Sequence, residues 1–208
     1  MSLRELGQLA EARDALQAAV QVDPRHASSW INLALVEQDL GDPAAAAADY
    51  ERAAQAAPDS ADPWFRLASL LARTGRADDA VMAYQEAVAR DPGHFGAWTN
   101  LAVLQQGTGR TREAVTAFEA ATRAEPRNWV GWRNLGIALF KAGAAGDAAG
   151  AFREAVRLRP DDLDLLRRLA LASASAGARD EALSIAARLE PADPRAAAEI
   201  RASVAQPR

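Results

Sequence analysis

Tryptophan recurs at a fixed interval of 34 residues, at Trp30, Trp64, Trp98 and Trp132. Proline keeps the same interval at Pro24, Pro58, Pro92, Pro126, Pro160 and Pro194, and glycine keeps it at Gly7, Gly41, Gly75, Gly109, Gly143 and Gly177. A period of roughly 20–50 residues is the mark of a solenoid, in which each unit buries its apolar face only against its neighbours. The core of such a chain is distributed along its length. All 208 residues are therefore expected to form one continuous body, whatever domain count the length alone suggests.

Aligned on the period, four full units run 27–60, 61–94, 95–128 and 129–162. A weaker fifth unit covers 163–196, residues 1–26 supply the end of one more, and 197–208 form a C-terminal capping segment. Within each unit of 34 positions the pattern predicts two helices. In the third unit Trp98, Leu101, Ala102 and Gln105 stand at positions 4, 7, 8 and 11, the spacing of one helical stripe. Gly109 at position 15 then ends the first helix, since glycine readily takes the left-handed cap. Ala114, Phe118 and Ala121 at positions 20, 24 and 27 form the inner stripe of the second helix, and Pro126 at position 32 follows its end. Small residues at position 8 (Ala34, Ala68, Ala102, Gly136, Ala170) allow the two helices to approach closely. Aromatics at position 24 (Tyr50, Tyr84, Phe118, Phe152) are expected to fill the space between units, and the position-4 tryptophans to lie in the core. Phe95 and Trp129, at position 1, are expected to cover the joints.

The residue inventory argues against chemistry. There is no cysteine, hence no disulfide framework, thiolate metal site or cysteine nucleophile. The two histidines, His26 and His94, both stand at position 34 and lie two periods apart, so they have no metal-ligand spacing. Both read as turn or helix-start residues. The glycines are periodic turn residues rather than a phosphate loop. Acidic pairs such as Asp78-Asp79 and Asp161-Asp162 fall at helix starts, where they cap and complement the dipole. No cofactor or metal is expected. The net charge of −4 supplies no basic field for nucleic acid, and no run of about 18 apolar residues spans a membrane. The opening Met-Ser-Leu-Arg-Glu-Leu carries charge where a signal peptide has its apolar core, so a cytoplasmic location is expected. Lys141 is the one lysine among 24 basic residues. With the heavy alanine usage, this arginine bias suggests a bacterial source with a GC-rich genome.

Position by position, the chain resembles the tetratricopeptide repeat (TPR) family. The family pattern places Trp or Leu at 4, Leu at 7, Gly or Ala at 8, Tyr or Leu at 11, Ala at 20, an aromatic at 24, Ala at 27 and Pro at 32. Residues 27–162 match it almost throughout. Glu37 and Gln105 depart from it at position 11, and the fifth unit is eroded, with Leu166, Ser173, Ala186 and Leu189 at positions 4, 11, 24 and 27. At the other end Leu3 falls on position 11 and Gly7 on 15, so most of a first helix is missing. Either the chain belongs to a longer array or its first helix is partly exposed. The resemblance implies an all-α right-handed superhelical solenoid of antiparallel helix pairs, acting as a protein-interaction module like bacterial TPR adaptors.

It also implies that the exposed face of each first helix lines a concave groove. Position 6 presents Asn32, Arg66, Asn100, Asn134 and Arg168 there. An asparagine carries donors and an acceptor and can bond a peptide backbone of any sequence. Such a ladder resembles the repeat region of O-GlcNAc transferases. The alternative is that these asparagines bond within the array. Phe65 and Phe140, at positions 5 and 12, are candidate anchors, or else packing between adjacent first helices. Arg133, Lys141, Arg167 and Arg168 crowd the C-terminal part of this face, where they attract acidic groups or are offset by Asp161, Asp162 and Asp164. The family's clamp for C-terminal carboxylates needs Asn at position 9, where this chain has Leu35, Ser69, Val103, Ile137 and Leu171, so that clamp is absent. The expected partner is therefore a protein or peptide held in the groove. Two other functions stay open: self-assembly into a homo-oligomer through the truncated first unit, and substrate recognition as a fragment of a larger enzyme such as a glycosyltransferase.

Overall fold

The computed structural model describes residues 3–205, with side-chain environments from residue 7 onward. Among the described residues there are twelve α-helices and no strand. The chain divides into two compact units, Met1–Leu104 and Gln105–Arg208.

The first unit holds α1 (Leu3–Val22), α2 (Ala27–Leu40), α3 (Pro43–Ala56), α4 (Asp62–Arg73), α5 (Ala77–Arg90) and most of α6 (Phe95–Gly107). The second holds α7 (Thr111–Ala124), α8 (Trp129–Lys141), α9 (Ala145–Leu158), α10 (Leu163–Ser175), α11 (Arg179–Leu189) and α12 (Pro194–Ala205). Short turns join successive helices into αα-hairpins such as α2–α3, α4–α5 and α8–α9. The turn inside each hairpin depends on the position-15 glycine. Gly41, Gly75, Gly109, Gly143 and Gly177 take φ of 84°, 81°, 78°, 81° and 84°, a left-handed conformation that a side chain would strain. Asp42 caps α3, accepting from the backbone N–H of Ala44 and Ala45, with Pro43 at the helix start where no N–H is needed.

Packing follows the two stripes. The position-8 residues are buried in every unit, and Tyr50, Tyr84, Phe118 and Phe152 are each at most 2% exposed. Gly136 shows why position 8 must be small: a Cβ there would lie 2.7 Å from the Phe152 ring. The position-4 tryptophans correct the expectation of a core site. All four are half-buried. The indole N–H of Trp30, Trp98 and Trp132 donates to the carbonyl of Pro24, Pro92 and Pro126, each at 2.9 Å, so the tryptophan fastens the preceding turn as well as filling space. At Trp64 that role passes to Arg90, whose Nε donates to the Pro58 carbonyl at 2.6 Å while its guanidinium lies over the indole at 5.0 Å. In the eroded fifth unit, where Leu166 replaces tryptophan, Arg188 donates to the Pro160 carbonyl.

Both ends depart from the period. Gly7 does not end a helix: α1 runs unbroken from Leu3 to Val22. A glycine inside a helix costs only about 1 kcal/mol relative to alanine, too little by itself to stop α1. The placing of the Leu3 side chain at position 11 lies outside the described residues. At the C-terminal end the periodic first helix would begin at 197, but α12 begins at Pro194. Here α11 has 11 residues where the earlier second helices have 14, and Asp193 caps the new helix by accepting from Ala196 N–H at 2.9 Å. Ala196, Ala197, Ile200 and Val204 on α12 are buried and cover the end of the second unit's core. No helix among the described residues is long and apolar enough to cross a membrane.

Candidate functional site

The face formed by the first helices differs sharply between the two units. In the first unit it is closed by polar contacts. Gln38 on α2 donates from Nε2 to the Tyr50 hydroxyl at 2.7 Å, and its Oε1 accepts from Arg73 at 2.8 Å. Arg66 on α4 donates from Nε to Asp62 at 2.9 Å, and its positive charge acts on the Tyr50 phenol. Burial pushes the Tyr50 phenol up, with Arg66 and Gln38 opposing the shift. The Asp62 hydrogen bond, opposed by burial, raises the Arg66 guanidinium further. One period on, Tyr84 repeats the scheme, with its hydroxyl 3.0 Å from both Ser69 Oγ and Asn100 Nδ2. Tyr84 thus ties its own repeat to the position-6 side chain of the next.

This settles where several candidate residues point. Asn100 donates inward to Tyr84 rather than outward. Phe65 is half-buried, its ring 5.9 Å from Tyr84 and 4.6 Å from His94, and it lies near Gly96 on the next first helix. His94 caps α6 by accepting from Ala97 N–H at 3.1 Å, and His26 contacts Ser29 Oγ at 2.8 Å. Both histidines therefore serve helix starts. Among the described residues no cluster of His, Cys, Asp and Glu could hold a metal ion. Asn32 is exposed on α2.

The second unit lacks the tyrosine hydroxyls, because position 24 is Phe118 and Phe152. Instead the face opens into a cavity of about 190 Å³ lined by Ile137, Phe140, Lys141, Phe152, Arg168 and Leu171. Phe152 is its buried wall, while Phe140 is 43% exposed. Three sequence candidates, Phe140, Lys141 and Arg168, meet here. Lys141 donates to Gln106 Oε1 at 3.2 Å and Arg168 donates from Nε to Asp164 at 2.7 Å, the offset expected from that aspartate. Arg133 and Arg167 are engaged elsewhere. Arg133 lies over Trp129 at 5.1 Å, with Arg159 against the same ring at 5.1 Å, and it donates to its neighbour Asn134 at 3.3 Å. Arg167 pairs with Glu199 on α12 at 3.0 Å. Ile137, Leu171 and Phe152 were missed as site residues. For Ile137 and Leu171 the signal was apolar side chains at position 9, beside the core stripe, where they pack partly against the core and stay partly open. Phe152 reads from its spacing as a core aromatic between units.

The tetratricopeptide repeat family model matches residues 1–61, 31–95 and 99–162, and the chain belongs to that family. No curated protein matches it. Among solved structures, YrrB, described as a TPR protein with an unusual peptide-binding site, superposes with a TM-score of 0.71 at 15% identity over 91% of this chain and 99% of that one. PilF of Pseudomonas aeruginosa gives 0.63 at 20% identity over 95% and 91%, and MamA gives 0.63 at 21% identity over 77% and 96%. At these identities the likeness establishes the fold: an all-α helical repeat of a class that generally serves as a protein-interaction scaffold.

Proposed function

We propose that the chain is a non-catalytic adaptor that captures an extended peptide or partner helix against the α8–α10 face, with Phe140 as its anchor. The observation that carries this reading is the open cavity beside a large exposed aromatic, at positions where the first repeat carries a hydrogen-bonded Gln38–Tyr50 pair. Exposed aromatics next to a desolvated pocket dominate binding energies at protein interfaces. At about 190 Å³ the cavity falls below the roughly 300 Å³ of small-molecule sites, so it suits one side chain rather than a whole ligand. The peptide-binding site in the description of YrrB supports the class of partner, not its position here.

The test is selection from a random peptide library displayed on phage, with Phe140→Asp as the counter-screen. Phe140 is already exposed, so this variant is expected to keep its helicity by circular dichroism. Peptides that bind the parent and weaken about tenfold or more on Phe140→Asp support capture at this face. Peptides held equally by both proteins would move the site elsewhere and defeat the reading.

A further inference from the structure

The repeat frame makes the cavity comparable, residue by residue, with a site in the first repeat. Positions 9, 12 and 24, followed by 6 and 9 of the next repeat, read Leu35, Gln38, Tyr50, Arg66 and Ser69 in the first unit. The same positions read Ile137, Phe140, Phe152, Arg168 and Leu171 around the cavity. The arginine and its aspartate partner are kept, as Arg66 with Asp62 and Arg168 with Asp164. The hydrogen-bonded pair Gln38–Tyr50 is replaced by the apolar pair Phe140–Phe152. At position 13, Asp39 is replaced by Lys141. At position 8, Ala34 is replaced by Gly136, and the Phe152 ring occupies the space a methyl group there would fill. Leu35 to Ile137 keeps an apolar wall; each other change removes a polar group from the wall, deepens it, or turns the charge at the mouth positive.

From this concerted change we infer the chemistry of the occupant: one apolar side chain, leucine or phenylalanine in kind, set between acidic side chains of an internal peptide segment. The inference rests on the peptide-capture reading above. The apolar residue seats against Phe152, Ile137 and Leu171. Carboxylates on either side of it meet Lys141 from α8 and Arg168 from α10. Only the Nε of Arg168 is held by Asp164, which leaves the terminal nitrogens of its fork to a carboxylate. Two cations on two helices suit two flanking carboxylates better than the single carboxylate of a chain end. Such pairing at an open mouth adds discrimination and weakens with salt, while the buried side chain supplies most of the affinity.

The substitution that tests this is Phe140→Gln with Phe152→Tyr, which rebuilds the Gln38–Tyr50 pair that this chain already accommodates. The probes are fluorescein-labelled nonapeptides, acetylated and amidated, read by anisotropy at low and high salt. One set has Asp-Glu flanks around a central Leu or Phe, one has the same flanks around Gly, and one has Lys flanks around Leu or Phe. The expected result is that the acidic apolar set binds at least about tenfold tighter than the other two, loses that margin in the double variant, and weakens with added salt. Leu and Phe peptides that bind whatever their flanks, and are lost in the double variant, would overturn the acidic component and leave peptide capture standing. Acidic peptides that bind the double variant unchanged would overturn the inference. So would an absence of binding by every set; if the random library also yields no Phe140-dependent peptide, the capture reading falls with it.

Discussion

The α2–α4 and α8–α10 faces come from the same repeat pattern, yet one is sealed and the other is open. In the first, Arg73, Gln38 and Tyr50 form a run of hydrogen bonds, and the Arg66–Asp62 pair accompanies it. In the second, phenylalanines stand where Gln38 and Tyr50 stood, and a cavity of about 190 Å³ remains. The period specifies the backbone and the core, so both faces fold alike. The choice at positions 9, 12 and 13, together with tyrosine or phenylalanine at the buried position 24, decides whether a face is occupied by its own side chains or left for a partner. Function in a repeat array is therefore written as departures between equivalent positions.

The largest expected effect that sharpens this comparison comes from Gly136→Ala. The new Cβ would lie 2.7 Å from Cδ1 and Cε1 of a ring that is 2% exposed, so ring and helix must separate. Overpacking of this kind costs about 1–3 kcal/mol, a fall in Tm of roughly 2–4 °C per kcal/mol for a chain of this size. The displaced ring should also move toward the cavity and weaken any peptide that binds there. Ala34→Gly in the first repeat opens no such site, because Tyr50 is held by Gln38. A thermal scan in which Gly136→Ala melts with the parent would mean that the cavity's depth does not depend on this glycine.

A smaller effect is expected from Tyr50→Phe, which copies position 24 of the fourth repeat into the first. Gln38 loses its acceptor, but it is partly exposed and can turn to water. The cost is therefore about 1 kcal/mol, that of an ordinary hydrogen bond. Chemical denaturation checks it, and a cost well above that would show the polar network to be cooperative.

Much of this architecture is legible in the sequence. The glycine turns, the small residues at position 8 and the aromatics at position 24 follow from spacing, because close packing leaves each of them one solution. The ends are less legible. Gly7 and Pro194 keep the period in sequence but not in structure: α1 runs through the one, and α12 begins at the other rather than at the periodic start, 197. Least legible is the choice of partner by a polar side chain. Asn100 and Asn134 occupy the same repeat position, but one meets a tyrosine hydroxyl and the other an adjacent arginine, and the difference lies in a residue 16 positions upstream. Spacing says which residues are equivalent, not which of several donors reaches an acceptor first.

The comparison extends into the hairpin interiors, where it has a pH signature. Glu37, Asp42 and Asp49 in the first repeat correspond to Leu139, Ala144 and Ala151 in the fourth. Burial, followed by the neighbouring charges of Glu37 and Asp42, pushes the Asp49 carboxyl up to about 6 from 3.8. Between those two values the folded chain binds more protons than the unfolded chain, so stability falls as pH rises through that window and stays lower above it. Asp49 is half-buried, so solvent screening reduces the effect to about 1 kcal/mol. Asp49→Asn is expected to raise the Tm at pH 7 and leave it nearly unchanged at pH 4. It should also flatten the parent's decline between those values. If the variant and the parent show the same pH dependence, the acidic interior of the first repeat is hydrated enough to cost nothing. The contrast between the two hairpins would then be confined to their open faces.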